Sequence, residues 1–277
     1  MDWSLVLVSQ GIETTIEHPE DGDGWGLVVA SQDCDLALNA IHQYRSENRH
    51  WPWRQQTRWP GFLFDWASAV WCLALVLFHW FGKTRAIDLW SNGAMDNAAV
   101  WSGQWWRIFT AITLHADLPH LVSNVSIGIV LLGLTMGRYG TGVGLLAALL
   151  AGAAGNVADL FIYHGAHRSL GASGMILGCL GLLAAQSLSL SRHHPLATKY
   201  VIGSVLGGIM LFVLFGLTPG TDIIAHLGGF VTGLLLGGIL SFVPVTFLHN
   251  PKIILISGLL AALLVMISWG LALGRLG

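Results

Sequence analysis

The chain has few charged residues and few cysteines, and its basic residues do not outnumber its acidic ones. Only 10% of its 277 residues are charged and the formal net charge is −2, so no basic surface predicts nucleic acid as a partner. Its three cysteines, at positions 34, 72 and 179, show neither metal-ligand spacing nor a redox motif. The N-terminus has no basic start followed by a long apolar stretch, so we expect no cleaved signal peptide.

Apolar sequence is what the chain has in abundance. Hydrophobic residues make up 54% of it, and the mean hydropathy is +0.64. These values are typical of an all-α polytopic membrane protein surrounded by lipid. The 13 tryptophans agree, because amphipathic indole rings favour the membrane–water interface.

Seven apolar runs of about 20 residues predict seven membrane-spanning helices. They cover residues 62–82, 117–137, 142–162, 172–190, 200–217, 222–243 and 252–273. A tryptophan-rich segment of about 34 residues separates the first two runs, and we expect it to lie at the interface or at the bilayer edge.

Residues 1–50 predict a small α+β module outside the membrane. Its apolar stretches LVLVSQ, TTIEH and WGLVVAS are strand-like, DGDG is a turn signal, and DCDLALNAIHQYRSENRH has helical periodicity. Residues 51–61 then form a linker to the first span.

The basic residues predict the orientation of the spans. Arg45, Arg49, Arg54 and Arg58 precede the first span, which places the N-terminus in the cytoplasm. With seven spans, the second, fourth and sixth then all enter the membrane from the outer side.

Four polar side chains fall near the outer ends of those three spans. They are His120 and Asn124 in the second span, Ser173 in the fourth and His226 in the sixth. At about 1.5 Å per residue, all four lie within roughly 10 Å of the outer interface. Polar groups in hydrocarbon are costly, so their shared depth indicates a functional site.

These groups suit acyl transfer. A serine hydroxyl becomes nucleophilic when a histidine takes its proton, and an oxyanion needs donors such as an amide, an imidazole and backbone N–H groups. Asp222 lies four residues before His226 but is expected to point toward the loop, so we predict a Ser173–His226 dyad with His120 and Asn124 at the oxyanion.

Glycines repeat at four-residue spacing beside both members of the dyad. Gly174 and Gly178 follow the serine, and Gly229, Gly233 and Gly237 follow the histidine. Such repeats let helix backbones approach closely in membranes. They also leave open the simpler interpretation that Ser173 is a small packing residue.

In order along the chain, four motifs resemble the rhomboid family of intramembrane serine proteases. They are WWR (Trp105–Arg107), H-x4-H-x3-N (His115, His120, Asn124), GASG (Gly171–Gly174) and AHLGGFVTGLLLG (Ala225–Gly237). The resemblance covers roughly residues 60–245.

The resemblance implies a six-helix protease core over residues 62–245, an additional C-terminal span within 246–277, and a small cytoplasmic domain at 1–50. It implies Ser173 as nucleophile and His226 as base, without metal or cofactor, and Arg107 and His115 as supports of the first loop. The substrates would be transmembrane or juxtamembrane segments of other proteins. The protein would lie in a bacterial inner membrane, with its active site opening to the periplasmic or extracellular side.

Two positions depart from the family pattern. Leu177 stands where some bacterial rhomboids have a tyrosine that stacks under the histidine, which predicts a less tightly held base. Gln104 stands where a glutamate is frequent, which predicts a looser first loop.

Two other functions fit the same composition. One is a catalytically inactive relative that binds membrane helices, and the other is a small transporter whose polar residues line a path. Four histidines in loops are expected to be solvated rather than metal ligands: His164, His167, His193 and His194.

Overall fold

The structure is a computed structural model that describes residues 2–18, 24–48, 63–84, 88–163, 165–186, 197–217 and 221–274. The chain forms two compact units, residues 1–60 and 61–277. The linker at 51–61, most of the DGDG turn, three of the four arginines before the first span, and His164, His193 and His194 lie outside the described residues. The domain limits given above stay a prediction.

The N-terminal unit is a small α+β fold. Its described elements are α1 (Asp2–Ser9), β1 (Thr14–Glu17), β2 (Gly26–Val29), a 3₁₀ turn (Ser31–Asp33) and α2 (Cys34–Glu47). The two strands pair antiparallel, with Thr14 opposite Val29.

The prediction that LVLVSQ forms a strand is wrong, because these residues belong to α1. Leu7 is buried there with Ile12 and Ala37. A short apolar run fits a strand or a helix equally well, and packing against α2 decides between them.

The second unit contains, within its described residues, seven apolar helices that overlap the seven predicted spans. They are α3 (Ala67–Thr84), α7 (Leu118–Tyr139), α8 (Thr141–Ile162), α9 (Ser173–Ala185), α10 (Ala197–Gly216), α11 (Ile223–Leu240) and α13 (Pro251–Gly274). By length and composition α7, α8, α11 and α13 can each cross a membrane, and α3, α9 and α10 contain shorter apolar stretches, at 67–83, 173–185 and 202–216. The protein is therefore a multi-pass membrane protein.

Short elements fill the connection between α3 and α7, which we call the first loop. They are α4 (Leu89–Gly93), β3 (Met95–Asp96), α5 (Asn97–Trp101) and α6 (Arg107–Thr113). Strand β3 pairs with β4 (Arg168–Ser169), just before α9. A further turn of helix, α12 (Val245–Leu248), precedes α13.

Helix α9 occupies the centre of this unit. It packs against α7, α8, α10 and α11, and Cys179 and Leu182 on it are fully buried. The hydroxyl of Tyr139, at the end of α7, donates a 2.8 Å hydrogen bond to the carbonyl of Leu182. A helix surrounded on all sides can be apolar throughout, which explains why α9 has no amphipathic pattern.

The C-terminal helix α13 packs on α8 and on the first loop. Trp269 is buried against Leu89 and Leu114 of that loop, and its indole N–H donates a 3.0 Å hydrogen bond to the hydroxyl of Thr113. Helix α13 therefore helps to hold the loop that lies beside the site described next.

Candidate active site

Ser173 is the first residue of α9, and the backbone before it is shaped by a glycine. Gly171 has φ +132°, a conformation that other residues rarely adopt, and a methyl group there would lie 2.8 Å from the His120 ring. The N–H of Gly171 also donates to the carbonyl of Ala111, at 3.0 Å. Together these contacts fix the turn that presents Ser173.

His226 lies in the first turn of α11, with its side chain 3% exposed. The helix begins after Asp222, whose carboxylate accepts a 3.1 Å hydrogen bond from the N–H of Ala225 and so caps the helix. The Nε2 atom of His226 lies 2.6 Å from the Oγ atom of Ser173. The structure thus brings together two residues from distant parts of the sequence at hydrogen-bond distance.

The second imidazole nitrogen of His226 has its own partner. Nδ1 lies 2.8 Å from the carbonyl oxygen of Gly216, the last residue of α10. Because a carbonyl only accepts hydrogen bonds, Nδ1 must carry the proton, which leaves Nε2 to accept one from Ser173. Sequence reasoning missed Gly216, since a backbone carbonyl leaves no signal in the residue type.

Asp222 does not contact the base as a third catalytic acid would. Its Oδ1 atom caps α11, and its Oδ2 atom lies 2.6 Å from Nε2 of His167. The prediction that His167 is simply solvated is therefore wrong, because its ring pairs with a carboxylate that helix α11 holds in place.

Glycines on α9 and α11 face each other in register. A methyl group on Gly229 would lie 2.2 Å from the carbonyl oxygen of Gly174, and one on Gly233 would lie 2.1 Å from that of Gly178. No larger residue fits at this separation, so the glycines allow the close approach that lets the short serine side chain reach His226.

His120 and Asn124 lie on one face of α7, near its start. Asp117 caps this helix by accepting a 2.8 Å hydrogen bond from the N–H of His120. The amide of Asn124 donates one N–H to the carbonyl of His120, at 3.0 Å. Its second N–H remains to donate elsewhere.

All four polar residues line one cavity of about 1090 Å³. Its wall also includes apolar side chains, among them Ile127, Ile176 and Phe215. The first N–H groups of α9 have no partner within their own helix, so this end of α9 favours negative charge in the cavity. A serine hydroxyl, an imidazole and several hydrogen-bond donors therefore share one partly apolar cavity.

Comparison with known proteins identifies the family to which this sequence belongs. A family model described as the rhomboid domain matches residues 102–243, which is just over half of the chain. The chain belongs to the rhomboid family.

Several relatives are similar over this rhomboid region. Rhomboid protease GluP of Bacillus subtilis is 33% identical over 154 residues, covering 55% of this chain and 29% of that protein. Rhomboid-like protease 3 of Toxoplasma gondii is 32% identical over 153 residues, covering 52% and 55%. Rhomboid-type serine protease 2 of Emericella nidulans is 34% identical over 158 residues, covering 53% and 29%. The match thus spans less than two thirds of each relative's own length.

The first loop of this rhomboid is organised around Arg107, which is buried. Its guanidinium donates to the carbonyls of Ala94 and Ser91, at 2.6 and 2.7 Å, and to the side-chain oxygen of Gln104, at 2.8 Å. Gln104 thus supplies an acceptor where a glutamate is frequent in the family. The loop keeps this hydrogen bond, without the charge of a carboxylate.

His115 is 1% exposed. Its ring meets the ring of His120 edge to face, with centroids 5.3 Å apart. This contact joins the end of the first loop, to which His115 belongs, to a cavity-lining residue.

Leu177, the other departure from the rhomboid pattern, is buried with Leu180, Phe212 and Phe230. A methyl group on Gly216 would lie 3.2 Å from a Leu177 methyl, so the leucine packs beside the carbonyl-bearing residue. Leu177 therefore contacts the end of α10, and the hydrogen bond that Nδ1 of His226 donates to the Gly216 carbonyl orients the imidazole.

Proposed function

We propose that this rhomboid is an intramembrane serine endopeptidase that uses Ser173 and His226 as a dyad. The observation that carries the proposal is the 2.6 Å contact between the two side chains, combined with the Gly216 carbonyl that assigns the proton to the far side of the imidazole. The names of its relatives as rhomboid proteases support the same activity.

The reaction begins when Nε2 of His226 takes the proton of the Ser173 hydroxyl. The Oγ atom bonds to the carbonyl carbon of the scissile peptide, and the carbonyl electron pair moves onto its oxygen. The intermediate collapses, the C–N bond breaks, and His226 returns the proton to the leaving amine. A water molecule then hydrolyses the acyl-enzyme by the same sequence of transfers.

Three kinds of donor are available to the oxyanion. They are the N–H groups at the start of α9, the second N–H of the Asn124 amide and the imidazole of His120, all of which belong to residues that line the cavity with Ser173. Arg107 and His115 support the loop beside it, and Gly171, Gly174, Gly229 and Gly233 set the backbone separations. No step of this reaction requires a metal or a cofactor.

The substrate class follows from the cavity and its surroundings. A site built among apolar helices receives transmembrane or juxtamembrane segments of other membrane proteins. Such a segment must unwind locally, because a regular helix keeps its carbonyl groups in intrahelical hydrogen bonds.

We also propose an orientation in the membrane. The arginines before the first span favour a cytoplasmic N-terminal domain in a bacterial inner membrane, with α7, α9 and α11 entering from the periplasmic or extracellular side. The site then opens toward that side, from which water reaches the acyl-enzyme.

Labelling with a fluorophosphonate probe tests the activity directly. The full chain in detergent should label stoichiometrically, Ser173→Ala should not label, and His226→Ala should label far more slowly. Ser241→Ala is the matched control, because the Ser241 hydroxyl bonds to the carbonyl of Gly238, away from the cavity. Folded wild-type protein that does not label, or labels equally in Ser173→Ala, would show an inactive helix-binding relative or a transporter instead.

A further inference from the structure

Three side chains converge beside the proposed active site without taking part in the dyad. They are Asp159 in the last turn of α8, His167 just before β4, and Asp222 at the N-cap of α11. One donor atom from each lies within 4.8 Å of the others. Two of the three, His167 and Asp222, also line the cavity.

Each carboxylate uses one oxygen for a hydrogen bond that stabilises the fold. Asp222 caps α11 with Oδ1 and approaches His167 with Oδ2. Asp159 accepts a 3.2 Å hydrogen bond from Ser169 at Oδ2, and its Oδ1 has no hydrogen-bond donor among the described residues.

The orphaned oxygen of Asp159 is the observation that points to a ligand. The side chain is 0% exposed. A buried carboxylate oxygen without a donor has lost its hydration and gained no hydrogen bond in return, which destabilises the fold unless a ligand or a proton satisfies it. Two carboxylates this close also repel each other unless positive charge lies between them.

The histidine is already oriented toward the carboxylates. Its ring stacks on Tyr163 with centroids 3.9 Å apart and planes 19° apart, and the carbonyl of His167 accepts a 3.2 Å hydrogen bond from the N–H of Asn97. Supporting contacts of this kind hold the ligands of metal sites in place.

We propose that Asp159, His167 and Asp222 form a binding site for a divalent metal ion of the zinc class. Zinc accepts mixed imidazole and carboxylate ligands at about 2.0–2.2 Å in a tetrahedral arrangement. Three protein ligands leave the fourth position for water from the cavity. Calcium and magnesium fit less well, because both prefer a shell made of oxygen ligands alone.

Metal binding displaces a proton and needs side-chain shifts on the order of an ångström, because donor atoms up to 4.8 Å apart must close to the separation of zinc ligands. Tetrahedral ligands at those bond lengths lie about 3.4 Å apart, so the 2.6 Å contact between His167 and Asp222 must open by less than an ångström. Two carboxylates and a neutral imidazole then balance the charge of the ion. The bound ion would join the end of α8 to the start of α11, one turn before His226.

A zinc titration tests this site independently of proteolysis. The chelator-stripped full chain in detergent is titrated with Zn²⁺ against a chromophoric zinc indicator. Wild type and Ser173→Ala should each bind one ion tightly, whether or not the protein is a protease. His167→Ala and Asp159→Asn should weaken that binding by more than about tenfold.

The control variant is His249→Ala, which removes a histidine elsewhere in the same unit and should keep the site. Co²⁺ in place of zinc should give the absorption bands of a tetrahedral site in wild type and lose them in His167→Ala. The proposal is overturned if wild type binds no stoichiometric ion, or if both ligand variants still bind one. In either case a proton shared by Asp159 and Asp222, without a metal ion, would account for the closeness of their carboxylates.

Discussion

The Nδ1 atom of His226 lies 2.8 Å from the carbonyl oxygen of Gly216, at the C-terminal end of α10. This carbonyl does for the imidazole what an acidic third residue does in a triad, because it fixes both the tautomer and the ring orientation. A neutral acceptor avoids placing another charge at a depth where charge is costly. The orientation of the His226 imidazole, the proposed base, therefore depends on how firmly the end of α10 is held in place.

Leu177 is the side chain that we expect to hold the end of α10 in place. Leu177→Ala should destabilise the protein by about 2–5 kcal/mol through the cavity it leaves. It should also lower kcat of the folded enzyme, because the Gly216 carbonyl moves. The matched control is Leu180→Ala, one turn further along α9 in the same apolar cluster. Thermal unfolding and peptide-bond cleavage should separate the two variants, and equal kcat values would contradict the assigned support.

A substitution at Gly229 tests whether the close approach of α9 and α11 is required for cleavage. Gly229→Ala introduces a methyl group 2.2 Å from the carbonyl oxygen of Gly174. The clash should cost about 1–3 kcal/mol and reduce cleavage by lengthening the distance between Ser173 and His226. Gly270→Ala on α13 is the control, since, outside its own helix backbone, no atom of the described residues lies within 4 Å of the added carbon. If both variants unfold at the same temperature and cleave at the same rate, close helix approach is not required.

We predict that Arg107 is the main side-chain support of the first loop. Arg107→Ala leaves the carbonyls of Ala94 and Ser91 without their donor, at a cost of about 1–3 kcal/mol for the buried Ala94 carbonyl and less for the partly buried Ser91 carbonyl. Arg168→Ala removes an ion pair with Asp96 whose arginine side chain is 77% exposed, so its cost should stay within about 1 kcal/mol. Thermal unfolding in detergent measures both. A larger loss from Arg168→Ala would contradict the assignment of Arg107 as the main support.

Asp96 gives the first loop a pH dependence. The N–H of Ala99, together with Arg168, holds the pKa of the Asp96 carboxyl below its usual value. The folded pKa is thus below the unfolded value of about 3.9, so the carboxylate stabilises the fold above that pH and loses its contribution as the pH falls through the folded value. The melting temperatures of wild type and Asp96→Asn should differ most near neutral pH and converge below about pH 4. A constant difference would exclude this contribution.

Hydropathy predicted the seven apolar helices because membrane length and apolar composition constrain each of them separately. The shared depth of Ser173 and His226 was predictable for a related reason, since span order and residue count place both near the same surface. The LVLVSQ segment was predicted wrongly because its conformation depends on packing against α2, which periodicity does not report.

The surroundings of the dyad were beyond prediction from the sequence. The Gly216 carbonyl is chemically identical to every other peptide carbonyl, so only the position of α10 makes it a partner for His226. The meeting of His167 with Asp159 and Asp222 depends likewise on where a loop crosses two helix ends. Contacts made by backbone atoms and by loop side chains are set by tertiary structure.

Cleavage of a model transmembrane substrate tests the central claim most directly. The purified full chain is incubated in detergent with a substrate that carries one transmembrane helix, and Ser173→Ala, His226→Ala and Ser241→Ala are compared with wild type. We predict site-specific cleavage by wild type and Ser241→Ala, and a loss of at least about a thousandfold in the first two variants. Cleavage that survives either Ser173→Ala or His226→Ala would contradict the proposed dyad.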